Sequence, residues 1–134
     1  MARISESIHG LTPFQRLLGH NVEVMERWSH LGELLEKDGR LQATLKEQVR
    51  RTLAKNNGCE YCKAKGKPAP HLYDEKMTIA VGFAEVFCKT KGNIPDSTFE
   101  ILQDSFNNEE ISELCAFICF VTASQHFGAI MKLK

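Results

Sequence analysis

Residues 45–62, LKEQVRRTLAKNNGCEYC, combine an amphipathic helix pattern with two cysteines placed three positions apart. The apolar residues of this stretch recur at steps of four, which places them on one helix face; they are Leu45, Val49 and Leu53. Asparagine and glycine then stop the helix, because both residue types tolerate the left-handed conformation that closes one. The stretch therefore predicts a helix over residues 42–55, an end before Gly58 and a short helix that begins at Cys59.

Helix signals recur along the rest of the chain, and strand signals are nearly absent. Residue types that cap helix N-termini precede each further predicted helix: Thr12, Asn21, Asp74, Asp96 and Asn107. The helix that follows Asn107 is apolar around most of its circumference, so it is expected at the domain centre or in a subunit interface. The sixth helix is expected to end near Leu102. We predict a single all-α domain that spans residues 1–134.

Length, charge and hydropathy exclude several classes of protein. A chain of 134 residues with 43% hydrophobic content can bury one core without further support. Basic and acidic residues number 17 each, so the net charge is zero and nothing marks a surface for nucleic acid or an anionic membrane. No apolar run approaches the roughly 18 residues that span a bilayer, and the N-terminus lacks the apolar stretch of a signal peptide. We expect a cytoplasmic protein with neither nucleic acid nor membrane as a partner.

The five cysteines are odd in number and unevenly spaced, which argues against a disulfide scaffold in a cytoplasmic protein. Cys59 and Cys62 lie one helical turn apart. At a helix start, unpaired N–H groups and the positive end of the dipole favour the thiolate over the thiol. By this reasoning Cys59 is the more acidic thiol, and Cys62 can close an internal disulfide with it. The pair predicts a redox-active dithiol.

Two other interpretations of the cysteine pair remain open, half of a structural zinc site or an inert dithiol. A zinc site needs two further ligands, and Cys115 and Cys119 lie one turn apart on the last predicted helix. Cys115, however, falls on an apolar stripe, where a cysteine usually acts as a small hydrophobe. Cys88 also lies on an apolar face and is predicted to be structural. We expect neither a metal nor another cofactor.

A residue upstream of the cysteines makes the pattern more specific. Glu47, eleven residues and then Cys59-Glu60-Tyr61-Cys62 resemble the core of the carboxymuconolactone decarboxylase superfamily, and most closely its alkyl hydroperoxidase D branch. Segments on both sides are similar to helices of that family: Leu31–Gly39, Asp74–Gly92 and Phe106–Ile111. The resemblance implies an all-α fold of about seven helices that assembles as a homo-oligomer, a trimer or a hexamer.

The resemblance also implies an activity, thiol-dependent peroxide reduction of the antioxidant kind. The electrons would come from a dithiol such as a lipoyl protein, and a peroxiredoxin-type partner would fit the same scheme. Cys62 would attack the peroxide, Cys59 would resolve the product to a disulfide, and Glu47 would activate the thiol through a proton relay. This assignment of the attacking cysteine is opposite to the one that the helix dipole suggests.

The sequence departs from the family pattern at one important position. The relay histidine would stand four residues after the second cysteine, where this chain has Gly66. His71, in a loop, and His126, on the last helix, are the candidate substitute bases. The departure favours weakened peroxidase activity or a different thiol chemistry. The alternatives are a lyase like carboxymuconolactone decarboxylase, which does not need the cysteine pair, and a non-catalytic oligomer of the same fold.

Overall fold

The structure, a computed structural model, describes residues 1–134 and contains seven α-helices, one 3₁₀ turn and no strand. The prediction of an all-α chain is therefore confirmed. The helices, in chain order, are α1 (Pro13–Leu18), α2 (Val22–Glu36), α3 (Ala43–Asn57), α4 (Glu60–Lys63), α5 (Glu75–Thr90), α6 (Asp96–Ser105) and α7 (Asn108–Ile130), with the 3₁₀ turn at Pro70–Leu72.

Three predicted helix ends are present as left-handed or hydrogen-bonded caps. Gly58 ends α3 with a φ of 72°, in the left-handed region. The Asp74 carboxylate accepts the backbone N–H of Met77 at 2.8 Å and opens α5. At the start of α7, the side chains of Asn107 and Glu110 each accept the other's backbone N–H, at 2.9 and 3.0 Å, which is a capping box.

Helix α6 differs from its prediction at both ends. Asp96 is the first helical residue rather than the cap, and Pro95 precedes it with extended backbone. A carboxylate in the first turn is still favourable, because the N-terminal end of a helix carries partial positive charge. The predicted end near Leu102 was too early, since the three residues that follow contain neither glycine nor proline and the helix continues to Ser105.

The main hydrophobic core lies where α3 packs against α5 and α7. Its fully buried members come from these three helices and from α6: Leu53, Val49, Ala80, Ala84, Leu114, Phe117, Ile118 and, on α6, Leu102. Helix α7 contacts α2, α3, α4 and α6, which agrees with its predicted central position. A second, smaller cluster at the C-terminal end of α3 contains Ala54, Cys59 and Cys62. Helix α3 therefore joins the main core to the cysteine pair.

Helix α7 is the one helix of the structure that is long and apolar enough to cross a membrane by length and composition. The expectation from apolar runs alone was that no segment reaches this length. The core helix of a soluble protein has the same properties, and α7 packs against four other helices. Its composition alone therefore does not indicate a membrane.

A buried ion pair fixes the segment between α2 and α3. The Lys46 side chain is 1% exposed, and its Nζ lies 3.3 Å from Oε2 of Glu113 on α7 and 2.9 Å from the backbone oxygen of Lys37. The same carboxylate accepts the backbone N–H of Leu41 at 2.8 Å. Burial raises the pKa of Glu113, but hydrogen bonds from the Leu41 and Arg40 backbone and from Lys46 outweigh it and hold the pKa below its ordinary value.

Candidate functional site

The two cysteines of the Cys-x-x-Cys sequence are joined as a disulfide, with their Cα atoms 5.2 Å apart. Cys59 is the N-cap of α4, and its Sγ accepts the backbone N–H of Cys62 at 3.2 Å. The left-handed Gly58 turns the chain out of α3 and directly into this cap. Helix α4 has only four residues, so its dipole is too short to distinguish the two sulfurs strongly.

The two sulfurs have different surroundings. Cys59 is 0% exposed, whereas Cys62 is 8% exposed and lines a surface cleft. Cys59 packs directly against α7 at Gly128, where a Cβ atom would lie 2.7 Å from the Cys59 Sγ. Only glycine at position 128 allows α7 to approach the pair so closely. A molecule that reaches the disulfide from solvent therefore meets Cys62.

Substitution of Gly128 tests this close packing. We expect Gly128→Ala to be less stable than Gly82→Ala by roughly 1–3 kcal/mol, because the new methyl group must displace the Cys59 sulfur. Gly82 is the matched control, since it lies inside helix α5 and a Cβ atom there would meet nothing within 4 Å. Both variants gain similar helix propensity, which cancels in the comparison. Urea unfolding of the oxidised proteins gives the two free energies, and equal values would refute the packing argument.

The cleft beside Cys62 has a volume of about 280 Å³ and lies among α1, α2, α3, α4 and α7. Its apolar wall is aromatic and consists of Phe14, Trp28 and Phe120. Trp28 is held in place by its indole N–H, which donates to the Ser124 hydroxyl at 3.0 Å. Charged side chains from α2, α3 and the turn after α4 also line it: Glu33, Glu36, Arg50 and Lys65. The cleft can therefore bind a small amphipathic molecule against an accessible sulfur.

Gln125 is a buried polar residue that links α7 to the cysteine region. It is 2% exposed, accepts the Asn57 side-chain amide at 2.8 Å and donates to the backbone oxygen of Arg50 at 3.3 Å. Sequence reasoning did not identify Gln125, Arg50 or Trp28 as part of the site. A single glutamine among the apolar residues of α7 was the one available signal for this position, because buried polar groups require partners.

Glu47 is linked to the cysteine pair through Arg50, which donates both to its carboxylate and to the Cys62 backbone oxygen. Arg50 donates to its two oxygens at 2.6 and 2.9 Å, and Arg51 donates to Oε2 at 2.9 Å. Burial raises the pKa of Glu47, but the hydrogen bonds and charges of both arginines outweigh it and hold the pKa below its ordinary value. A carboxylate in this state remains ionised and is a weak proton acceptor.

The candidate substitute histidines do not reach the site. His71 lies in the 3₁₀ turn and His126 lies on α7, and both are exposed. Neither of them lines the cleft at Cys62. The structure therefore connects Glu47 to the Cys62 backbone through Arg50 and leaves both histidines outside the cleft.

The three remaining cysteines lie apart from the pair. Cys115 packs against the main core and Cys119 is exposed on the same helix. Burial raises the pKa of the Cys88 thiol, with the charge of Glu85 adding to the effect. Burial likewise raises the pKa of the Cys115 thiol. No group of three or more histidine, cysteine, aspartate or glutamate side chains is arranged to hold a metal ion, so the four-cysteine zinc site is not assembled.

Comparison with known proteins identifies no relative of this chain. No family model matches the chain, and no curated protein or solved structure matches it either. The resemblance to alkyl hydroperoxidase D therefore depends on the sequence alone, on the spacing of Glu47, Cys59 and Cys62 and on the similar flanking segments.

Proposed function

We propose that this protein is a thiol-dependent oxidoreductase in which Cys59 and Cys62 alternate between dithiol and disulfide. One observation carries the proposal: the two sulfurs are bonded, and one of them lines a cleft while the other is buried behind it. A buried resolving thiol next to an accessible attacking thiol is the arrangement that an internal disulfide cycle needs. Glu47, which Arg50 links to the Cys62 backbone, is consistent with the same function.

The proposed cycle begins with the reduced pair. The Cys62 thiolate attacks one sulfur of a substrate disulfide, so that a mixed disulfide forms and the substrate's second sulfur leaves as a thiolate. Cys59, deprotonated, then attacks the Cys62 sulfur, closes the internal disulfide and releases the remaining substrate thiol. An external dithiol reduces the pair again and is itself oxidised to a disulfide.

With a peroxide, the same Cys62 thiolate attacks an oxygen atom. The S–O bond forms, the O–O bond breaks, and the alcohol leaves after it takes up a proton. Cys59 attacks the resulting sulfenic acid, releases water and closes the same disulfide. This route needs a nearby proton donor, because the leaving oxygen of the peroxide must be protonated as the O–O bond breaks.

Within this proposal we favour disulfides over peroxides as substrates. A thiolate leaving group has a much lower pKa than an alkoxide and needs no proton donor. Glu47 is occupied by three N–H donors and no histidine lines the cleft. The absence of a histidine at position 66 is therefore expected to lower the rate of peroxide reduction more than the rate of disulfide exchange.

The resemblance extends the proposal to partners and location. We infer a cytoplasmic homo-oligomer, a trimer or hexamer, that is reduced by a dithiol or lipoyl protein. Exposed apolar side chains of α2 are available for a subunit contact: Val24, Leu31 and Leu34. A monomeric mass by light scattering would contradict the assembly.

The function is tested by the consumption of two substrates in the presence of limiting dithiothreitol. We expect the wild-type protein to consume glutathione disulfide faster than cumene hydroperoxide, after subtraction of the protein-free rate. The double variant Cys59→Ser/Cys62→Ser should show only the protein-free rate. Equal consumption by the double variant and the wild type would refute the proposal. A wild-type protein that forms its disulfide but consumes neither substrate would instead indicate a non-catalytic oligomer.

A further inference from the structure

The segment that follows the second cysteine is held to α3 at both of its ends by arginines. Arg50 donates from Nη1 to the backbone oxygen of Cys62 at 3.1 Å. Arg51 donates from Nη1 to the backbone oxygen of Lys67 at 3.2 Å. Residues 62–67 contain the end of α4 and a turn, and their backbone N–H groups from Lys63 to Gly66 bond locally, to residues 59–63. These local bonds shape the segment, and the two arginine side chains attach it to α3.

Gly66, within this segment, packs against the Arg51 side chain. Its φ is +134°, which L side chains rarely adopt, and a Cβ atom there would lie 3.1 Å from both Cζ and Nε of Arg51. The guanidinium group thus occupies the space that any side chain at position 66 would need. The residue in place of the family histidine is glycine, and Arg51 fills the space beside it.

Glu47 orients both arginines at the same time. Arg50 donates from Nε and Nη2 to this one carboxylate, and Arg51 donates from Nε, at distances of 2.6 to 2.9 Å. The three residues lie within five positions on α3, which is slightly more than one helical turn. We call Glu47, Arg50 and Arg51 the clasp.

We propose that the clasp positions Cys62 next to the buried Cys59 and thereby stabilises the disulfide relative to the dithiol. This inference rests on the proposed redox function and assigns Glu47 as a positioning residue instead of a proton acceptor. When the S–S bond is reduced, two thiols replace it and only the surrounding structure keeps Cys62 close to Cys59. The clasp holds the Cys62 backbone in both states, which raises the effective concentration of one thiol at the other.

The exchange with glutathione measures this effect directly. The protein disulfide and two glutathione molecules give the protein dithiol and one glutathione disulfide, so electrons and protons balance. We expect Glu47→Gln and Arg51→Met each to shift this equilibrium at least tenfold towards the dithiol, which corresponds to about 30 mV. The fraction of oxidised protein is read by alkylation and mass spectrometry across a series of glutathione buffers.

The chain offers a matched control pair on α2. Arg27 and Glu23 are also four residues apart and also 2.9 Å from each other, but both are exposed and neither lines the cleft at Cys62. Glu23→Gln and Arg27→Met should leave the equilibrium unchanged. Unfolding of the reduced forms shows whether a variant is folded. Arg51→Lys, which keeps the charge but not the fork of donors, gives the same test if Arg51→Met does not fold.

A second way to open the clasp leaves its three residues intact. Gly66→Ala should displace the Arg51 guanidinium and shift the equilibrium in the same direction as Arg51→Met. The inference is overturned if the pair exchanges normally and the Glu47, Arg51 and Gly66 variants all stay within threefold of wild type. A wild-type pair that does not exchange with glutathione at all would overturn the proposed function as well.

Discussion

Replacement of Cys62 by serine is expected to abolish substrate consumption, with a loss of at least about 1,000-fold in dithiol-dependent rate. Cys62 is the sulfur that lines the cleft, so a substrate held against Trp28 and Phe120 can contact it. Cys59 is fully buried and packs against α7 at Gly128, so it cannot replace Cys62 as the attacking group. A serine hydroxyl at position 62 is not ionised at neutral pH and does not attack a disulfide.

The two single cysteine variants separate attack from resolution. Cys59→Ser should capture one substrate molecule as a stable mixed disulfide on Cys62, because the resolving thiol is missing. Intact-protein mass spectrometry detects the adduct, and peptide mapping locates it. Cys62→Ser should form no such adduct within the same time. Capture on Cys59 instead would show that the helix-dipole assignment was the better one.

Cys119→Ser serves as the control for these variants. Cys119 is an exposed free thiol on α7 and lies outside the cleft. Its removal takes away one reactive sulfur without a change at the pair. We expect this variant to keep the wild-type rate, and a large loss would mean that the assay reports on exposed thiols in general.

The sequence was sufficient to predict the fold class, because local signals and the structure agree at most helix ends. The helix start at Asn107 and the glycine after α3 depend on residues adjacent in sequence, and both are present as expected. The start of α6 could not be predicted to the residue, since Pro95 and Asp96 are both favourable near a helix start. Only the backbone angles distinguish the two positions.

The site was less predictable, since its geometry depends on contacts between distant segments. The i+3 and i+4 spacing of Arg50 and Arg51 from Glu47 is a local pattern that favours both ion pairs, and the structure contains them. That the same arginines also donate to the backbone of residues 62 and 67 depends on where this segment returns to α3. The space beside Gly66 and the burial of Gln125 are likewise results of packing, which no local pattern reports.

The largest effect on stability is expected at the buried ion pair far from the cysteines. Glu113→Ala should lower the free energy of unfolding by roughly 3–5 kcal/mol, because it leaves the Lys46 ammonium buried without a counter-charge. Lys46 is 1% and Glu113 21% exposed, so water compensates poorly for the loss. The backbone N–H of Leu41 also loses its acceptor. Urea unfolding followed by circular dichroism measures the change.

Glu109→Ala is the matched control for Glu113→Ala, one turn earlier on the same helix. Glu109 pairs with Arg40 at 2.9 Å, but both side chains are largely exposed. Surface pairs of this kind contribute about 1 kcal/mol or less. A Glu113 variant that is no less stable than the Glu109 variant would show that the buried pair contributes little.

The pH dependence gives an independent test of the same pair. The folded protein holds the pKa of Glu113 below its ordinary value of 4.5, so the unfolded chain takes up a proton at this group first as the pH falls. The stabilisation is therefore present above the ordinary pKa and is lost as the pH falls through the folded one. Glu113→Gln lacks this titration. The stability difference between wild type and Glu113→Gln should be constant near neutral pH and shrink below about pH 4.5. A difference that stays constant down to pH 3 would mean that the Glu113 charge does not stabilise the fold.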